Sequence, residues 1–302
     1  MRRFTDRVAV ITGGASGIGR AIAVRAAREE MRMVLADVEE DALHQVAHSL
    51  RQSGASVLPV VTDVSRREDV EALAQQTLNA YGAVHLLVNN AGVAHGAGTV
   101  WETSLADWEW VIGVNLWGVI HGVRTFVPIM LAQDTECHIV NTASAAGLVC
   151  PLDAGPYAVS KFGVVALSET LYQNFAATGA KVKVSVLCPG MVRTAIVDSE
   201  RNRPPGLDGP TPKMPTRSPE EDDARWQQID AGFSRYGGVV SADHVVELLF
   251  EGIRDERLYI LTHKDAIKRE IRSRMESIVN ERNPEVLRNR KSPQSDEPPR
   301  ET

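Results

Sequence analysis

The sequence lacks several features that would point away from an ordinary globular protein. No apolar run approaches the roughly 20 residues that a membrane-spanning helix needs. The net charge is −6, which argues against a general binder of nucleic acid or of anionic membranes. The first strand-like run follows within a few residues of Met1, so we expect no signal peptide. Cys137, Cys150 and Cys188 are the only cysteines, and their unpaired spacing predicts reduced thiols in a cytoplasmic protein, with neither a disulfide framework nor a metal site.

What the sequence has instead is a regular alternation of strand-like and helix-like segments. Seven apolar runs are predicted as strands, at 8–12, 33–36, 56–61, 84–88, 138–142, 183–188 and 258–261. Amphipathic segments between them are predicted as helices, near 18–30, 39–53, 66–81, 104–132, 157–178 and 241–253. Because Val, Ile and Leu are nearly continuous in each strand, both faces of the sheet should be buried. The pattern predicts an α/β fold with one parallel, doubly wound sheet and ligands at the carboxyl ends of its strands.

The first strand leads directly into a glycine-rich turn, Thr12-Gly13-Gly14-Ala15-Ser16-Gly17-Ile18-Gly19. Glycine accepts positive φ and lets a ligand approach the backbone. The helix that follows would present unpaired N–H groups and the positive end of its dipole to a diphosphate. Structural turns also use glycine, so the turn alone predicts little. Asp37 ends the second strand about 20 residues later, where an acid binds the adenosine ribose hydroxyls of a dinucleotide.

A proline-rich segment, residues 195–240, interrupts the alternation. It contains the acidic run Glu220–Asp223, and we predict a long loop over the site with a helical piece at Ala224–Tyr236. The alternative is a surface insertion without a function.

The C-terminal part of the chain also departs from the pattern. Residues 263–282 are predicted as a basic amphipathic helix that packs on the sheet and does not contact nucleic acid. Residues 283–302 have almost no apolar side chains and are predicted to be disordered. This leaves one predicted domain over 1–282, with 195–240 as its lid.

Polar residues that could do chemistry follow the third, fourth and fifth strands. Asp63-Val64 could accept a hydrogen bond from an adenine amino group, and Asn89-Asn90-Ala91-Gly92 offers a tight turn beside the ribose, although either could simply end a strand. Ser144 follows the fifth strand. Tyr157 and Lys161 are four residues apart, so a helix would bring the phenol and the ammonium to one face. A Tyr-x3-Lys match alone often occurs by chance, but the whole set of these residues in this order does not.

As a set, these residues resemble the short-chain dehydrogenase/reductase family over roughly residues 5–262. The family's Thr-Gly-x3-Gly-x-Gly is found at 12–19, its Asn-Asn-Ala-Gly at 89–92, its Tyr-x3-Lys at 157–161 and its Pro-Gly at 189–190. The resemblance implies a single Rossmann-type domain with a sheet of about seven strands in the order 3-2-1-4-5-6-7. It implies an enzyme that interconverts a secondary alcohol and its ketone by hydride transfer, and a homodimer or homotetramer.

The resemblance also implies a catalytic tetrad, Asn115, Ser144, Tyr157 and Lys161. Tyr157 would exchange a proton with the substrate oxygen, and Lys161 and the positive nicotinamide ring would lower its pKa from near 10 toward neutrality. Ser144 would orient the substrate oxygen, Lys161 would hold the nicotinamide ribose, and the main-chain carbonyl of Asn115 would bind a proton-relaying water. The implied cofactor contacts are Gly13, Ala15, Ser16, Gly17, Ile18, Gly19, Asp37, Asp63, Val64, Asn90, Ala91, Gly92, Tyr157, Lys161, Pro189, Gly190, Val192 and Thr194.

Asp37 favours NAD over NADP as the cofactor. Its carboxylate can accept hydrogen bonds from both ribose hydroxyls but would repel a 2′-phosphate. Where family members that prefer NADP usually carry a basic residue, this sequence has Ser16 and Val38. NAD is therefore the predicted cofactor.

The residues expected near the substrate are mostly apolar, which suits a lipophilic or alicyclic substrate. They are Ala94, His95, Ser144, Ala146, Leu148, Leu152, Tyr157 and Met191, with His95 as a polar spectator. Two alternatives stay open. A catalytically silent NAD-binding sensor or scaffold would share the fold but would be favoured by an altered tetrad. A sugar-nucleotide epimerase or dehydratase of the longer sister group would typically have Gly-x2-Gly-x2-Gly and a larger C-terminal domain.

Overall fold

The computed structural model describes residues 1–95, 98–151, 154–204, 206–207 and 217–284. Seven parallel strands form one sheet in the order β3-β2-β1-β4-β5-β6-β7, which confirms the predicted fold. The strands are β1 (Val8–Thr12), β2 (Arg32–Asp37), β3 (Val57–Val61), β4 (Leu86–Asn89), β5 (Cys137–Thr142), β6 (Val182–Cys188) and β7 (Tyr259–Leu261).

Helices cover both faces of the sheet because successive strand residues point to opposite sides. The helices are α1 (Gly17–Arg28), α2 (Glu40–Gln52), α3 (Arg67–Tyr81), α4 (Leu105–Ile112), α5 (Gly118–Ala132), α6 (Gly155–Thr178), α7 (Pro219–Phe233), α8 (Ala242–Arg254) and α9 (Lys264–Val279). In β1, Ala9 and Ile11 pack into the core under α1, α2 and α8, while Val10 packs into the core under α3, α5 and α6.

α4 and α5 form one helical stretch, joined by a turn of π-helix at Gly113–Trp117. By length and composition alone this 28-residue stretch could cross a membrane, although no run of that kind was expected from the sequence. A core helix passes the same test, and here Asn115 is fully buried while Phe126 and Met130 lie in the core. The π-turn is also a local irregularity of the kind often found at functional sites.

The helix in the predicted lid begins at Pro219, five residues before the predicted start at Ala224. Residues 205 and 208–216 lie outside the described residues. α7 begins at Pro219 because Ser218 forms a capping box: its Oγ accepts a hydrogen bond from Glu221 N (3.2 Å), and the Glu221 carboxylate accepts one from Ser218 N (2.8 Å). The acidic run therefore opens the helix that had been predicted to begin at Ala224.

α9 lies within the predicted range 263–282 but does not pack on the sheet as predicted. α8 already packs against β6 and β7 on one face, and α6 packs against β6 on the other. α9 lies instead beside a large cleft, with Ile267 and Glu270 in the cleft wall and the Arg274 guanidinium 5.0 Å from the ring centroid of Phe162. Most of the predicted disordered tail, residues 285–302, lies outside the described residues.

Candidate active site

A cleft of about 1210 Å³ runs along the carboxyl ends of the strands. The strand order reverses between β1 and β4, which is where a doubly wound sheet opens a crevice for ligands. One end of the cleft is lined by the glycine-rich turn and Asp37, and the other by Ser144 and Tyr157. The sheet thus brings the two predicted halves of the site into one continuous space.

The glycine-rich turn is packed so closely that side chains would not fit. Gly13 has φ +66°, and a Cβ there would lie 2.9 Å from Ala91 Cα. Gly17 has φ +51° and opens α1 at the cleft. A Cβ on Gly19 would lie 2.0 Å from the Gly13 carbonyl oxygen. The turn therefore leaves bare backbone and the N-terminus of α1 facing the cleft, which is a suitable seat for a diphosphate.

Asp37 lies at the end of β2 with only 9% of its surface exposed. Its Oδ2 accepts a hydrogen bond from Ala15 N (2.9 Å), and its Oδ1 accepts one from Glu39 N (3.1 Å). Burial raises the pKa of Asp37, and these backbone bonds oppose the rise. Asp37 thus holds the glycine turn in place while its carboxylate lines the cleft.

Thr12 joins the glycine turn to the turn after β4. Its Oγ1 accepts hydrogen bonds from Asn90 N (2.9 Å) and Ala91 N (3.0 Å), and Asn90 Nδ2 donates to the Thr12 carbonyl oxygen (3.0 Å). The first asparagine of this motif, Asn89, is turned into the core, where its Nδ2 donates to Asn141 Oδ1. The Asn-Asn-Ala-Gly motif is therefore a brace between two strand ends.

Asn115 ties the turn after β4 to α6 from beneath the cleft. Its Oδ1 accepts a hydrogen bond from Val93 N (2.8 Å), and its Nδ2 donates to the Val93 carbonyl oxygen (2.9 Å) and to Ser160 Oγ (3.3 Å). Gly92 passes close by, since a Cβ there would be 3.3 Å from Asn115 Oδ1 and 3.5 Å from Lys161 Nζ. The Asn115 side chain thus holds the backbone of the turn after β4 in position.

Ser144, Tyr157 and Lys161 converge at the other end of the cleft. Ser144 Oγ accepts a hydrogen bond from Ala146 N (3.1 Å), and the Ser144 side chain lies beside the Tyr157 phenol. The Lys161 ammonium donates to the Thr142 carbonyl oxygen (3.0 Å) and lies 5.5 Å from the centroid of the Tyr157 ring. The one-turn spacing on α6 therefore places phenol and ammonium together beside the end of β5, as predicted.

The segment after β6 forms another part of the cleft wall. Ala195–Asn202 makes two short 3₁₀ turns with a kink at Asp198. Ser199 Oγ accepts a hydrogen bond from Ala94 N (3.0 Å). Arg203 lies over the Trp110 ring, 4.6 Å from its centroid, and forms ion pairs with Asp107 and Glu200. These contacts fasten residues 199–203 to α4 and to the turn after β4.

Comparisons with known proteins show the family to which the chain belongs. A family model described as short chain dehydrogenase matches residues 7–205. The chain belongs to the short-chain dehydrogenase/reductase family. A member from Burkholderia phymatum, solved in complex with NAD, is 48% identical, with a TM-score of 0.84 over 94% of this chain and 98% of that one.

Two curated family members are similar over most of their length. The "CLA biosynthesis dehydrogenase/reductase" of Lactiplantibacillus plantarum is 33% identical over 95% of this chain and 98% of its own. The "1-deoxy-11-beta-hydroxypentalenate dehydrogenase" of Streptomyces exfoliatus is 35% identical over 86% of this chain and 84% of its own. Both names describe dehydrogenases, so the oxidoreductase class follows for this chain, whereas its substrate does not.

Most residues expected from the family resemblance line the cleft, and a few lie behind its wall. Ala15 and Gly19 support the turn, and Asn115 is buried beneath the site. His95 and Leu148, expected near the substrate, are not among the lining residues that the structure describes, and the His95 ring nitrogens are buried. Leu152 lies outside the described residues. The lining residues expected at the outset are Gly13, Ser16, Gly17, Ile18, Asp37, Asp63, Val64, Asn90, Ala91, Gly92, Ala94, Ser144, Ala146, Tyr157, Lys161, Pro189, Gly190, Met191, Val192 and Thr194.

Burial shifts the pKa values of both titratable groups in the family's Tyr-x3-Lys motif. It raises the pKa of Tyr157, and the neighbouring Ser144 hydroxyl opposes this rise without reversing it. It lowers the pKa of Lys161 to about 8. The expected lowering of the Tyr157 pKa by Lys161 is therefore not found in the protein alone, because the ammonium hydrogen-bonds the Thr142 carbonyl and the phenol is desolvated.

Replacing Lys161 with Met should stabilise the fold at neutral pH. The Lys161 pKa is about 8 when folded and 10.5 as the reference value, so below pH 8 the buried ammonium carries its full desolvation cost. Between pH 8 and 10.5 Lys161 loses its proton in the folded state but keeps it in the unfolded state, so the desolvation cost decreases as the pH rises. We expect Lys161→Met to gain about 1 kcal/mol at pH 7, after the lost hydrogen bond to Thr142 is counted.

Urea unfolding of both proteins from pH 7 to pH 10.5 would measure this difference. The advantage of Lys161→Met should shrink steadily above pH 8. An advantage that does not change with pH would show that the ammonium is not the source of the cost.

Proposed function

We propose that the protein is an NAD-dependent oxidoreductase that interconverts a secondary alcohol and its ketone. The observation that carries the proposal is one cleft lined at one end by the glycine turn and Asp37, and at the other by Ser144, Tyr157 and Lys161. The NAD complex of the Burkholderia phymatum relative supports the choice of cofactor class.

The residues of the cleft fit a nicotinamide dinucleotide. A Cβ at Gly13 or Gly19 would fill the space beside the turn, and Asp37 offers a carboxylate at the end of β2. Asp63 and Val64 lie in the wall past β3, and Pro189, Gly190, Val192 and Thr194 lie in the wall past β6. When bound, NAD supplies the hydride acceptor for the oxidation and NADH the donor for the reduction.

We assign the proton transfer to the Tyr157 phenol and the orientation of the substrate oxygen to Ser144 Oγ. Because burial raises the pKa of Tyr157, the phenolate forms at neutral pH only if positive charge offsets the desolvation. In the protein alone the Lys161 ammonium, 5.5 Å from the centroid of the ring, does not offset the desolvation, so we propose that an oxidised nicotinamide supplies the additional positive charge. A water on the main-chain carbonyl of Asn115 would connect Lys161 to solvent, as the family resemblance implies.

The substrate end of the cleft suits a lipophilic or alicyclic molecule. Trp110, Leu207, Phe233 and Tyr236 contribute apolar or aromatic surface to the wall. The relatives' names refer to a hydroxypentalenate and to CLA biosynthesis, which agrees with a substrate of this type. A catalytically silent NAD sensor is not favoured, because all four tetrad residues are in place.

We also propose a cytoplasmic homodimer or homotetramer whose domain spans residues 1–282. Apolar side chains on the π-helical turn, α5 and α6 support the assembly, since Trp117, Leu131, Val159 and Tyr172 are exposed in the single chain. Size-exclusion chromatography with light scattering should give a mass of two or four chains, and a monomer would contradict the proposal.

NADH formation with a graded panel of secondary alcohols would test the proposed function. The panel should run from small linear alcohols to steroid-sized ones, each with NAD and with NADP. We expect turnover with NAD that increases with the apolar bulk of the alcohol. Clear NADH binding without turnover on any member would favour the sensor instead.

Replacing Asp37 with Asn should weaken NADH binding and reduce discrimination against NADPH. The amide keeps an oxygen that can accept the Ala15 N–H, so the turn should survive while the charge is lost. Hydrogen bonds to charged groups contribute about 1.5–3 kcal/mol, so we expect a loss of about ten- to a hundredfold in NADH affinity. Fluorescence titration with both cofactors measures this, and an unchanged preference would remove Asp37 from the ribose site.

A further inference from the structure

An arginine that the sequence does not mark as a site residue lies at the same end of the cleft as Asp37. Arg201 and Asn202, in the segment after β6, line the cleft together with Asp37 and Glu39. The Glu39 carboxylate accepts hydrogen bonds from Arg201 Nη2 (2.6 Å), from Arg201 Nε (3.3 Å) and from Asn202 Nδ2 (2.9 Å). The contact joins residues 162 positions apart across the mouth of the cleft.

The Arg201 guanidinium is held from both sides. Its Nη1 donates to the carbonyl oxygens of Ala195 (2.7 Å) and Asp198 (2.9 Å), which fixes the arginine to its own 3₁₀ turns. Partial burial raises the pKa of Glu39, but the hydrogen bonds from Arg201 and Asn202 outweigh it and keep that pKa below its usual value. Glu39 is therefore ionised at neutral pH and cancels the charge of Arg201.

The position of this pair bears on the choice between NAD and NADP. Glu39 N donates to Asp37 Oδ1, and the Glu39 charge adds to burial in raising the pKa of Asp37, so the two carboxylates lie close together. An arginine beside the ribose-binding acid is what accommodates a 2′-phosphate in dinucleotide folds. This chain places an arginine at that end of the cleft but pairs it with a second acid.

We propose that Glu39 is a second cofactor-selecting residue, which excludes NADP by neutralising Arg201. Asp37 would repel the 2′-phosphate directly. Glu39 would act indirectly, because the Arg201 guanidinium that it neutralises could otherwise bind the phosphate. The inference rests on the proposed function, since it requires a dinucleotide in this cleft.

The test compares NADH and NADPH dissociation constants, by fluorescence titration, in variants of the full chain. Glu39→Gln keeps the side-chain size and an oxygen for Asn202 but removes the charge, and we expect it to improve NADPH affinity relative to NADH by about tenfold. Adding Arg201→Met to Glu39→Gln should abolish that gain. Lys181→Gln, which breaks the exposed ion pair with Asp134, is the control and should leave both constants unchanged.

Each outcome either supports or overturns the proposal. A Glu39→Gln variant that binds both cofactors with the original ratio overturns it, and so does an equal weakening of both, which would mean that the pair only closes the cleft. A gain in NADPH affinity that survives Arg201→Met also overturns it, because the effect would not act through Arg201. Failure of the unaltered protein to bind NADH would instead refute the proposed function.

Discussion

Replacing Tyr157 with Phe should lower kcat by about 10³- to 10⁴-fold and leave NADH binding almost unchanged. Phenylalanine keeps the ring that packs 5.5 Å from the Lys161 ammonium and removes only the hydroxyl. Because we assign the proton exchange with the substrate oxygen to that hydroxyl, its removal should halt turnover, whereas the glycine turn and Asp37 at the other end of the cleft are untouched. The loss should therefore appear in kcat and not in the affinity for the cofactor.

The same helix provides a matched control for this prediction. Tyr172 also lies on α6, but its side chain is half exposed and it does not line the cleft among the described residues. Tyr172→Phe should turn over like the unaltered protein on the best alcohol of the panel, with NADH absorbance as the measurement. If Tyr157→Phe kept its turnover, the proton would have to pass through another group, and the assignment of Tyr157 would fail.

The strands could be predicted closely because burial on both faces leaves a direct mark in the sequence. The predicted start of β4, residue 84, is two residues early, since Val84 N donates to the Gln133 side chain before pairing with β1 begins at Leu86. The convergence of Tyr157 and Lys161 could also be predicted from the sequence, because it follows from helix geometry alone.

Other features required the folded chain. The contact between Glu39 and Arg201 joins distant segments, and no local pattern predicts it. The direction of the Tyr157 pKa shift depends on how deeply the phenol is buried, which spacing does not reveal. The early start of α7 is different, because Ser218 followed by Pro219 and Glu221 is a helix-start signal that could have been recognised in the sequence.

The glycine turn illustrates a limit of motif reading. The motif places four glycines near a ligand, but the sequence does not say which of them approach backbone. Gly13 has positive φ, whereas Gly19 has an ordinary helical conformation and is constrained by close neighbours, since a Cβ there would lie 2.0 Å from the Gly13 carbonyl oxygen and 2.7 Å from Asn90 Nδ2. Glycine is thus needed at position 19 for steric reasons alone. A substitution there therefore tests the packing of the turn more directly than one at Gly13, where the positive φ would also matter.

Replacing Gly19 with Ala should strongly weaken dinucleotide binding. The new methyl group must displace the Gly13 peptide and also the Asn90 side chain, whose Nδ2 would be 2.7 Å away, and both hold the shape of the turn. Overpacking of this kind costs up to about 3 kcal/mol, so we expect a loss of about a hundredfold in NADH affinity. Fluorescence titration measures the affinity, and a thermal melt shows whether the fold survives.

Gly232→Ala separates this steric effect from the general consequences of a glycine-to-alanine change. Gly232 lies in α7, and a Cβ there would meet nothing within 4 Å. Alanine is the better helix former by about 1 kcal/mol, so this variant should bind NADH normally and melt no lower than the unaltered protein. A Gly19→Ala protein that also bound NADH normally would show that the turn can shift without consequence, and the diphosphate would then have to be held elsewhere in the cleft.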